Sequence, residues 1–290
     1  SASGRKQLCQ WGTTMRIGHY QCVCEPGDFE ANLATVRDGL AQATACGIEL
    51  MSFPESLLGG YFRNEARCRE NAWPLDSSQT DRLLRATAEF PVMFMVGFNE
   101  LRGTDLYNTV LLAENGALVG TYSKAFPVIN YFTPGRETPV FEKNGCTFGI
   151  IICADGGYPE PARILAMKGA RIIFAPHYNY IGKETLIDHY VHVRSDHIAR
   201  AVENGVYFVR GNNVERGHQA SLESEGVGYG DSYILDPNGQ IVAAANLHAQ
   251  TLISTDIDLE RKHYGRPNKA ARSAKVFWEQ LRDAALADER

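Results

Sequence analysis

Apolar residues follow two alternating patterns along the chain. Short continuous apolar runs, typical of strands covered on both faces, alternate with stretches that repeat an apolar residue every three or four positions, typical of amphipathic helices. In the first half they predict helices at residues 28–45 and 77–90 and strands at residues 16–22, 48–53, 92–98, 106–112 and 117–122. The last two strands flank Glu114-Asn115-Gly116, a strong hairpin signal.

The second half repeats this order. It predicts strands at residues 147–153, 171–175, 206–211, 232–235, 240–244 and 251–257 and helices at residues 159–168, 185–204 and 275–287. The order β, α, β, α, β, β therefore occurs roughly twice. Because continuous apolar strands must be covered on both faces, we predict an α/β fold in which two sheets pack together with helices outside. The last helix is suited to packing on a partner.

Composition and charge narrow the class of protein. Of 290 residues, 44% are hydrophobic and 22% are charged, which suits a globular protein with a sizeable core. Since no linker divides the chain, we predict a single domain over residues 15–290, preceded by a polar extension over residues 1–14. The net charge of −5 and the scattered Lys and Arg residues argue against nucleic-acid binding. No apolar run is long enough to span a membrane.

The cysteines do not form a recognisable framework. An odd number, widely scattered, does not predict disulfides or a metal site, and the seven are Cys9, Cys22, Cys24, Cys46, Cys68, Cys146 and Cys153. The spacing of Cys22 and Cys24 is too tight for a CxxC motif. We therefore expect a reducing, cytoplasmic environment, mostly inert thiols and no bound metal.

One cysteine stands in a context that favours chemistry. Cys153 ends a β-branched run of three isoleucines, a glycine turn follows it, and Pro159 opens a helix. A strand-to-helix corner of this kind lifts one side chain out of a sheet, as in the serine nucleophile elbow, and a nearby helix N-terminus favours a thiolate. A buried, inert cysteine at a strand end remains the alternative.

Two more residues give this cysteine possible partners. Glu55 follows the second predicted strand, where open α/β folds place ligands, and Lys124 ends the hairpin. Each alone is as readily a solvent-facing side chain. Together with Cys153 they supply a nucleophile for a carbonyl or nitrile carbon, a carboxylate that moves its proton, and an ammonium that stabilises a tetrahedral intermediate.

Seven segments in order resemble the nitrilase superfamily of carbon–nitrogen hydrolases, in its amidase- and carbamoylase-like branch. The main three are FPESLLGGYF (53–62), GTYSKAF (120–126) and ICADGGYPEPAR (152–163). The supporting four are VGFNE (96–100), LYNTVLL (106–112), RAVENGVYFVRGNNV (200–214) and GDSYILDPNGQIVA (230–243). The resemblance covers nearly the whole chain from Met15.

The resemblance implies a four-layer αββα sandwich, often dimerised, and so a homodimer or higher homo-oligomer. It implies Glu55 as general base, Lys124 as stabiliser of the intermediate and Cys153 as nucleophile. The oxyanion would lie between the Lys124 side chain and the backbone N–H of Ala154. Neither a metal nor an organic cofactor is implied.

Two departures from the family pattern affect the expected site. Lys124 is followed by Ala-Phe-Pro where relatives usually have x-His-Leu, and no second glutamate precedes the Phe-x-Pro-Gly turn at residues 132–135. Val128 or Asn130 occupies its place, depending on the alignment. Asn130 can hydrogen-bond a substrate amide or a water, but it cannot act as a base. Rate and substrate choice are affected more than reaction class.

The expected substrate is a small molecule, and six residues are candidates to bind it: Tyr61, Asn130, Ala154, His177, Tyr178 and Asn179. His177 is either a second base or a loop residue that shapes the pocket or only packs. Arg194 and Arg200 either bind a substrate carboxylate or are structural residues of one predicted helix, which in this family commonly faces a subunit interface. Nitrilases usually read Cys-Trp-Glu, whereas this chain reads Cys-Ala-Asp at residues 153–155.

Four functions follow from these residues. The first is hydrolysis of a small amide through a cysteine thioester, with release of ammonia. The second is hydrolysis of an N-carbamoyl amine or amino acid, which also releases carbon dioxide. Nitrile hydrolysis is the third, and the missing Trp-Glu disfavours it. The fourth is a binding or scaffold protein on the same fold. The missing second glutamate favours this function, whereas the intact trio of Glu55, Lys124 and Cys153 argues against it.

Overall fold

The computed structural model describes residues 14–215, 226–260 and 275–287. Twelve strands run through these ranges: β1 (Thr14–Gln21), β2 (Leu50–Ser52), β3 (Met93–Arg102), β4 (Asp105–Glu114), β5 (Ala117–Ser123), β6 (Val140–Lys143), β7 (Cys146–Ile150), β8 (Ile172–Pro176), β9 (Tyr207–Gly211), β10 (Tyr233–Leu235), β11 (Ile241–Ala244) and β12 (Thr251–Asp258). The helices in them are α1 (Phe29–Ala45), α2 (Glu65–Glu70), α3 (Ser78–Thr87), α4 (Pro159–Met167), α5 (Leu186–Asn204) and α6 (Lys275–Ala285).

The strands form two six-stranded mixed sheets with the same internal order of directions. The first sheet runs β12-β1-β2-β3-β4-β5 and the second runs β6-β7-β8-β9-β10-β11 when read from its β6 edge. In each, one antiparallel pair is followed by two parallel pairs and then two antiparallel pairs. Hence β2 and β8 hold equivalent central positions, and the predicted two-fold repetition is confirmed.

Three apolar clusters define the layers. One packs α1 and α3 on the first sheet, with Leu40, Leu83 and Phe94 among its buried side chains. A second fills the space between the two sheets, and a third packs α4 and α5 on the second sheet. Since burial of this apolar surface is what stabilises each layer against the next, the arrangement is helix, sheet, sheet, helix. The predicted αββα sandwich is confirmed.

Some element boundaries differ from those predicted. The strand predicted at 147–153 ends at Ile150, because residues 153–157 turn into a 3₁₀ helix that starts at Cys153. Helix α2 and strand β6 were not predicted, since both are short and carry little periodicity: α2 is largely exposed and β6 is mostly half-buried. Of the predicted extension at residues 1–14, residues 1–13 lie outside the described residues, and Thr14 begins β1.

The C-terminal helix α6 is amphipathic but contributes no buried residue in the described part of the chain. Its apolar side chains Val276, Phe277 and Leu281 are exposed. No helix within the described ranges is both long and apolar enough to cross a membrane.

Strand β3 supports the loop that leaves β2. The Phe53 N–H donates to Met95 O at 2.9 Å and the Leu58 N–H donates to Gly97 O at 3.0 Å, so this loop continues along the edge of β3. A Cβ on Gly97 would lie 2.2 Å from the Ser56 nitrogen. Only glycine permits this approach of two backbones.

We predict that Gly97→Ala lowers the free energy of unfolding by about 3 kcal/mol or more, the upper end of the usual cost of overpacking. The cost should be this high because the backbone that the new Cβ meets cannot move away. Gly149→Ala is the matched control: its Cβ would meet the terminal methyls of Leu165 at 2.7 Å. These methyls can move, so the cost should be nearer 1 kcal/mol, about the lower limit for overpacking. Urea denaturation measures both, and equal losses would contradict the argument.

Candidate active site

The site lies where the carboxyl ends of strands from both sheets meet. Glu55 follows β2, Lys124 directly follows β5, Cys153 follows β7, and residues 177–179 follow β8. The carboxyl ends of the central parallel strands share one edge, which is where such folds bind ligands. Across this edge the Glu55 N–H donates to His177 O at 3.2 Å, so the two equivalent loops touch.

Glu55 and Lys124 form an ion pair that is closed off from solvent. The Lys124 Nζ donates to Glu55 Oε1 at 2.7 Å, and the two side chains are 1% and 0% exposed, respectively. The same oxygen accepts from Asn108 Nδ2 at 2.6 Å, and Oε2 accepts from the Tyr178 N–H at 2.8 Å. A buried ion pair is tolerated only when further hydrogen bonds replace its lost hydration, and the carboxylate here has three donors.

Cys153 occupies a constrained turn. Its φ is 46°, in the left-handed region that non-glycine residues rarely adopt. The Asp155 carboxylate holds the turn, since it accepts from Ile152 N–H at 2.9 Å, from Tyr122 OH at 2.7 Å and from Phe126 N–H at 2.8 Å. Strain of this kind persists only when its surroundings enforce it, and Asp155 ties the turn to the segment around Lys124.

The electrostatics of the site keep the resting sulfur protonated. Burial raises the pKa of the Cys153 thiol to about 12, helped by the charge of Glu55 and a hydrogen bond with it, and Lys124 acts in the opposite direction. Burial alone would lower the pKa of Lys124, but the negative charge of Cys153, once its thiol has ionised, and that of Glu55 outweigh burial and raise this pKa. The lowering of the thiol pKa that a helix N-terminus would cause is therefore outweighed.

A cavity of about 980 Å³ opens above Cys153. All six predicted substrate-binding residues line it: Tyr61, Asn130, Ala154, His177, Tyr178 and Asn179. The rings of Tyr61 and Tyr178 stack 5.3 Å apart, and Tyr158 stacks on Phe126. Val128 also lines the cavity and is exposed, as is Asn130, so both candidates for the missing glutamate's place stand at a solvent-facing part of the wall.

His177 is placed to shape the site. It is buried, and burial, followed by the charge of Arg210, lowers its pKa well below the usual value. Its Nδ1–H donates to Ala175 O at 2.6 Å, and its ring packs 5.0 Å from that of His197. Since a base with so low a pKa holds a proton poorly, the geometry favours the shaping role over the second-base role.

The two arginines on α5 do not line the cavity. Arg194 pairs with Asp231 at 2.6 Å. Arg200 pairs with Glu203 at 2.7 Å and donates to Gly156 O at 3.2 Å. Of the two predicted alternatives, the one in which they stabilise their surroundings fits the structure.

Sequence reasoning missed three residues that support the trio. Asn108 interrupts the apolar run of β4, and this polar position inside a buried strand was a usable signal. Asp155 was visible only as part of a glycine turn. Arg210 lies within β9 and is fully buried. No local sequence pattern indicates that this residue supports the site. In the described ranges, no group of three or more His, Cys, Asp or Glu residues is arranged to hold a metal ion.

Comparison with known proteins finds relatives that are described as hydrolases and amidases. The family described as carbon-nitrogen hydrolase matches residues 15–263. A "hydrolase in pqqF 5'region" of Pseudomonas protegens is 31% identical, over 83% of this chain and 82% of the relative. The N-carbamoylputrescine amidase of Arabidopsis thaliana is 28% identical, over 84% of this chain and 86% of the relative.

A solved structure shares the fold. It is a variant of the amidase from Nesterenkonia sp. AN1, in which the acetamide moiety of fluoroacetamide is covalently added to the active-site cysteine. It is 22% identical, covers 95% of this chain and 100% of its own, and superposes with a TM-score of 0.76.

The pKa shifts predict how Cys153 responds to loss of its neighbours. Because Glu55 raises the pKa of this thiol, Glu55→Gln should lower that pKa and speed alkylation of Cys153 by iodoacetamide at pH 9 about three- to tenfold. Lys124→Met should slow it. Peptide mapping by mass spectrometry follows the reaction at this one cysteine.

Glu100→Gln is the matched control for this measurement. Glu100 is also a buried carboxylate, but it pairs with Arg102 at 2.7 Å and lies outside the cavity wall. Its loss should leave the alkylation rate of Cys153 unchanged. Slower alkylation in Glu55→Gln would mean that Glu55 promotes the thiolate rather than opposing it.

Proposed function

Because the chain belongs to the carbon–nitrogen hydrolase family, we propose that it cleaves the C–N bond of a small-molecule amide through a thioester on Cys153 and releases ammonia. The observation that carries this proposal is the buried Glu55–Lys124 pair in contact with the Cys153 thiol. A buried ion pair contributes little to net stability. Because this pair lies beside a thiol at the base of a cavity, we infer that it moves a proton to and from that thiol.

The reaction follows from the positions of these groups. The Cys153 sulfur attacks the carbonyl carbon as its proton passes to Glu55, and the oxygen gains the negative charge. Lys124 and the backbone N–H of Ala154 stabilise that charge. When the C–N bond breaks, Glu55 returns the proton to the departing nitrogen and ammonia leaves a thioester on Cys153.

The second half repeats these roles with water. Glu55 takes a proton from a water molecule, whose oxygen attacks the thioester carbon. The second tetrahedral intermediate collapses, the carbon–sulfur bond breaks, and the proton on Glu55 returns to sulfur. A carboxylic acid leaves and the thiol is restored, so the sum is amide plus water to acid plus ammonia.

The cavity favours an amide with an apolar or aromatic body. Its volume of about 980 Å³ is near the upper limit for small-molecule sites, about 300–1,000 Å³. Tyr61, Tyr158 and Tyr178 offer aromatic faces on its wall. A two-carbon amide would leave most of this wall in contact with water.

Hydrolysis of an N-carbamoyl amine is the second candidate. The likeness to an N-carbamoylputrescine amidase supports it, and the same three side chains would attack a carbamoyl carbon. The small Ala154 and the following Asp155 continue to disfavour a nitrilase. The connected hydrogen bonds of the trio oppose a scaffold without activity.

Ammonia release from a panel of primary amides, carbamoyl compounds and nitriles tests the proposal. Arylacetamides should be turned over with higher kcat/KM than acetamide, and Cys153→Ala should lower activity about a thousandfold or more. Cys46→Ala, which removes an exposed thiol, is the control and should be fully active. No release from any compound by the unmodified protein would refute the proposal.

Carbon dioxide release separates the two candidates. A carbamoyl substrate yields an unstable carbamic acid that loses carbon dioxide, whereas a carboxamide yields a stable acid. We expect ammonia without carbon dioxide from the best substrate. Equal amounts of both would transfer the assignment to the carbamoyl hydrolases.

A further inference from the structure

Arg210 is a buried cation whose hydrogen bonds all end on uncharged oxygens in the described part of the chain. Its side chain is fully buried. One terminal nitrogen donates to Gly230 O at 2.8 Å and Asp231 O at 2.6 Å. The other donates to Asn179 Oδ1 at 2.7 Å and Tyr229 OH at 3.0 Å. Burying a charge without an opposite charge in contact is unfavourable, so its retention calls for another role.

The contact with Asn179 fixes which way that side-chain amide faces. A guanidinium only donates hydrogen bonds, so Arg210 holds the carbonyl oxygen and the amide nitrogen must point away from it. That nitrogen, Nδ2, donates to Cys153 Sγ at 3.7 Å. The Asn179 backbone N–H is shared between the side-chain oxygens of Asn212 and Asn213 at 3.0 and 2.9 Å. The donor aimed at sulfur is therefore held from both ends.

The charge of Arg210 also reaches the sulfur and its surroundings. It lowers the pKa of the Cys153 thiol, against the larger effects of burial and of Glu55. After burial, it is the next cause of the lowered pKa values of His177 and His197. With these imidazoles neutral, Arg210 is, besides Lys124, a cation whose charge acts on Cys153.

We propose that Asn179 is a catalytic residue that stabilises negative charge on the Cys153 sulfur, and that Arg210 is the positioning residue that orients it. This inference rests on the proposed thioester reaction. Sulfur gains charge twice: when its proton passes to Glu55 during attack, and when the carbon–sulfur bond of the thioester breaks. In both steps the Asn179 N–H donates to the charged sulfur, and no proton leaves the amide.

This pair also bears on the missing second glutamate. Both residues at its predicted place, Val128 and Asn130, are exposed, whereas Asn179 touches the reacting atom from a buried position. The sulfur therefore has a neutral hydrogen-bond donor, Asn179, which is itself held by the cation of Arg210. Such a pair stabilises the thiolate, which a second carboxylate would oppose.

Alkylation of Cys153 by iodoacetamide at pH 9 tests this without any amide substrate. Arg210→Gln and Asn179→Ala should each slow it about three- to tenfold, the result expected when a pKa rises by about one unit and nucleophilicity partly compensates. The double variant should be no slower than Arg210→Gln, because loss of Arg210 removes both its charge near the sulfur and the contact that orients Asn179. Arg194→Gln, which removes a nearby arginine paired with Asp231, is the control and should react at the normal rate.

A second variant keeps the test open if Arg210→Gln fails to fold. Asn179→Asp retains an oxygen for Arg210 and replaces the N–H donor by a negative charge, so the protein should fold and alkylation should slow more than about tenfold. Folded variants that react within twofold of the unmodified protein would overturn the inference, as would losses that multiply in the double variant. If these variants slow alkylation as expected but the unmodified protein releases no ammonia from any amide, the result would count against the proposed function alone.

Discussion

The buried ion pair of Glu55 and Lys124 is the constraint on which the rest of the site depends. Two charges at 2.7 Å, both removed from water, persist only if neither is left alone, since removing one partner of such a pair typically costs about 3–5 kcal/mol. The amide of Asn108 and the Tyr178 N–H complete the shell of the carboxylate. Because these groups come from different strands, the proposed proton transfer depends on correct assembly of both sheets.

The internal repetition of the fold explains why the site forms where it does. Strands β2 and β8 hold equivalent places in the two sheets, and each ends in a loop at the shared edge. One loop supplies the carboxylate of Glu55 and the other supplies Tyr178, whose N–H binds it. The turn that carries Cys153 follows β7, the neighbour of β8, and Asp155 holds this turn. The two halves therefore contribute different chemistry from corresponding positions.

The sequence predicted the architecture better than the boundaries of its elements. It singled out Glu55, Lys124 and Cys153 as candidates but not the residues that hold them in place. Continuous apolar runs such as that of β7 identify a buried strand, but they do not reveal that it ends before Cys153, because a turn with positive φ depends on contacts made by Asp155. Glu55, Lys124 and Cys153 could be selected because motifs carry them. Arg210 could not, since a charged residue inside an apolar strand has meaning only once its partner Asn179, 31 residues earlier, is known.

The mass of the rapidly quenched protein reveals whether the proposed reaction passes through an acyl group on Cys153. During turnover of the best amide, we expect a mass gain equal to the amide minus ammonia. The gain should map to the peptide that contains Cys153 and disappear once the substrate is exhausted. Acylation of a different residue, or ammonia release that continues at the normal rate in Cys153→Ala, would contradict it.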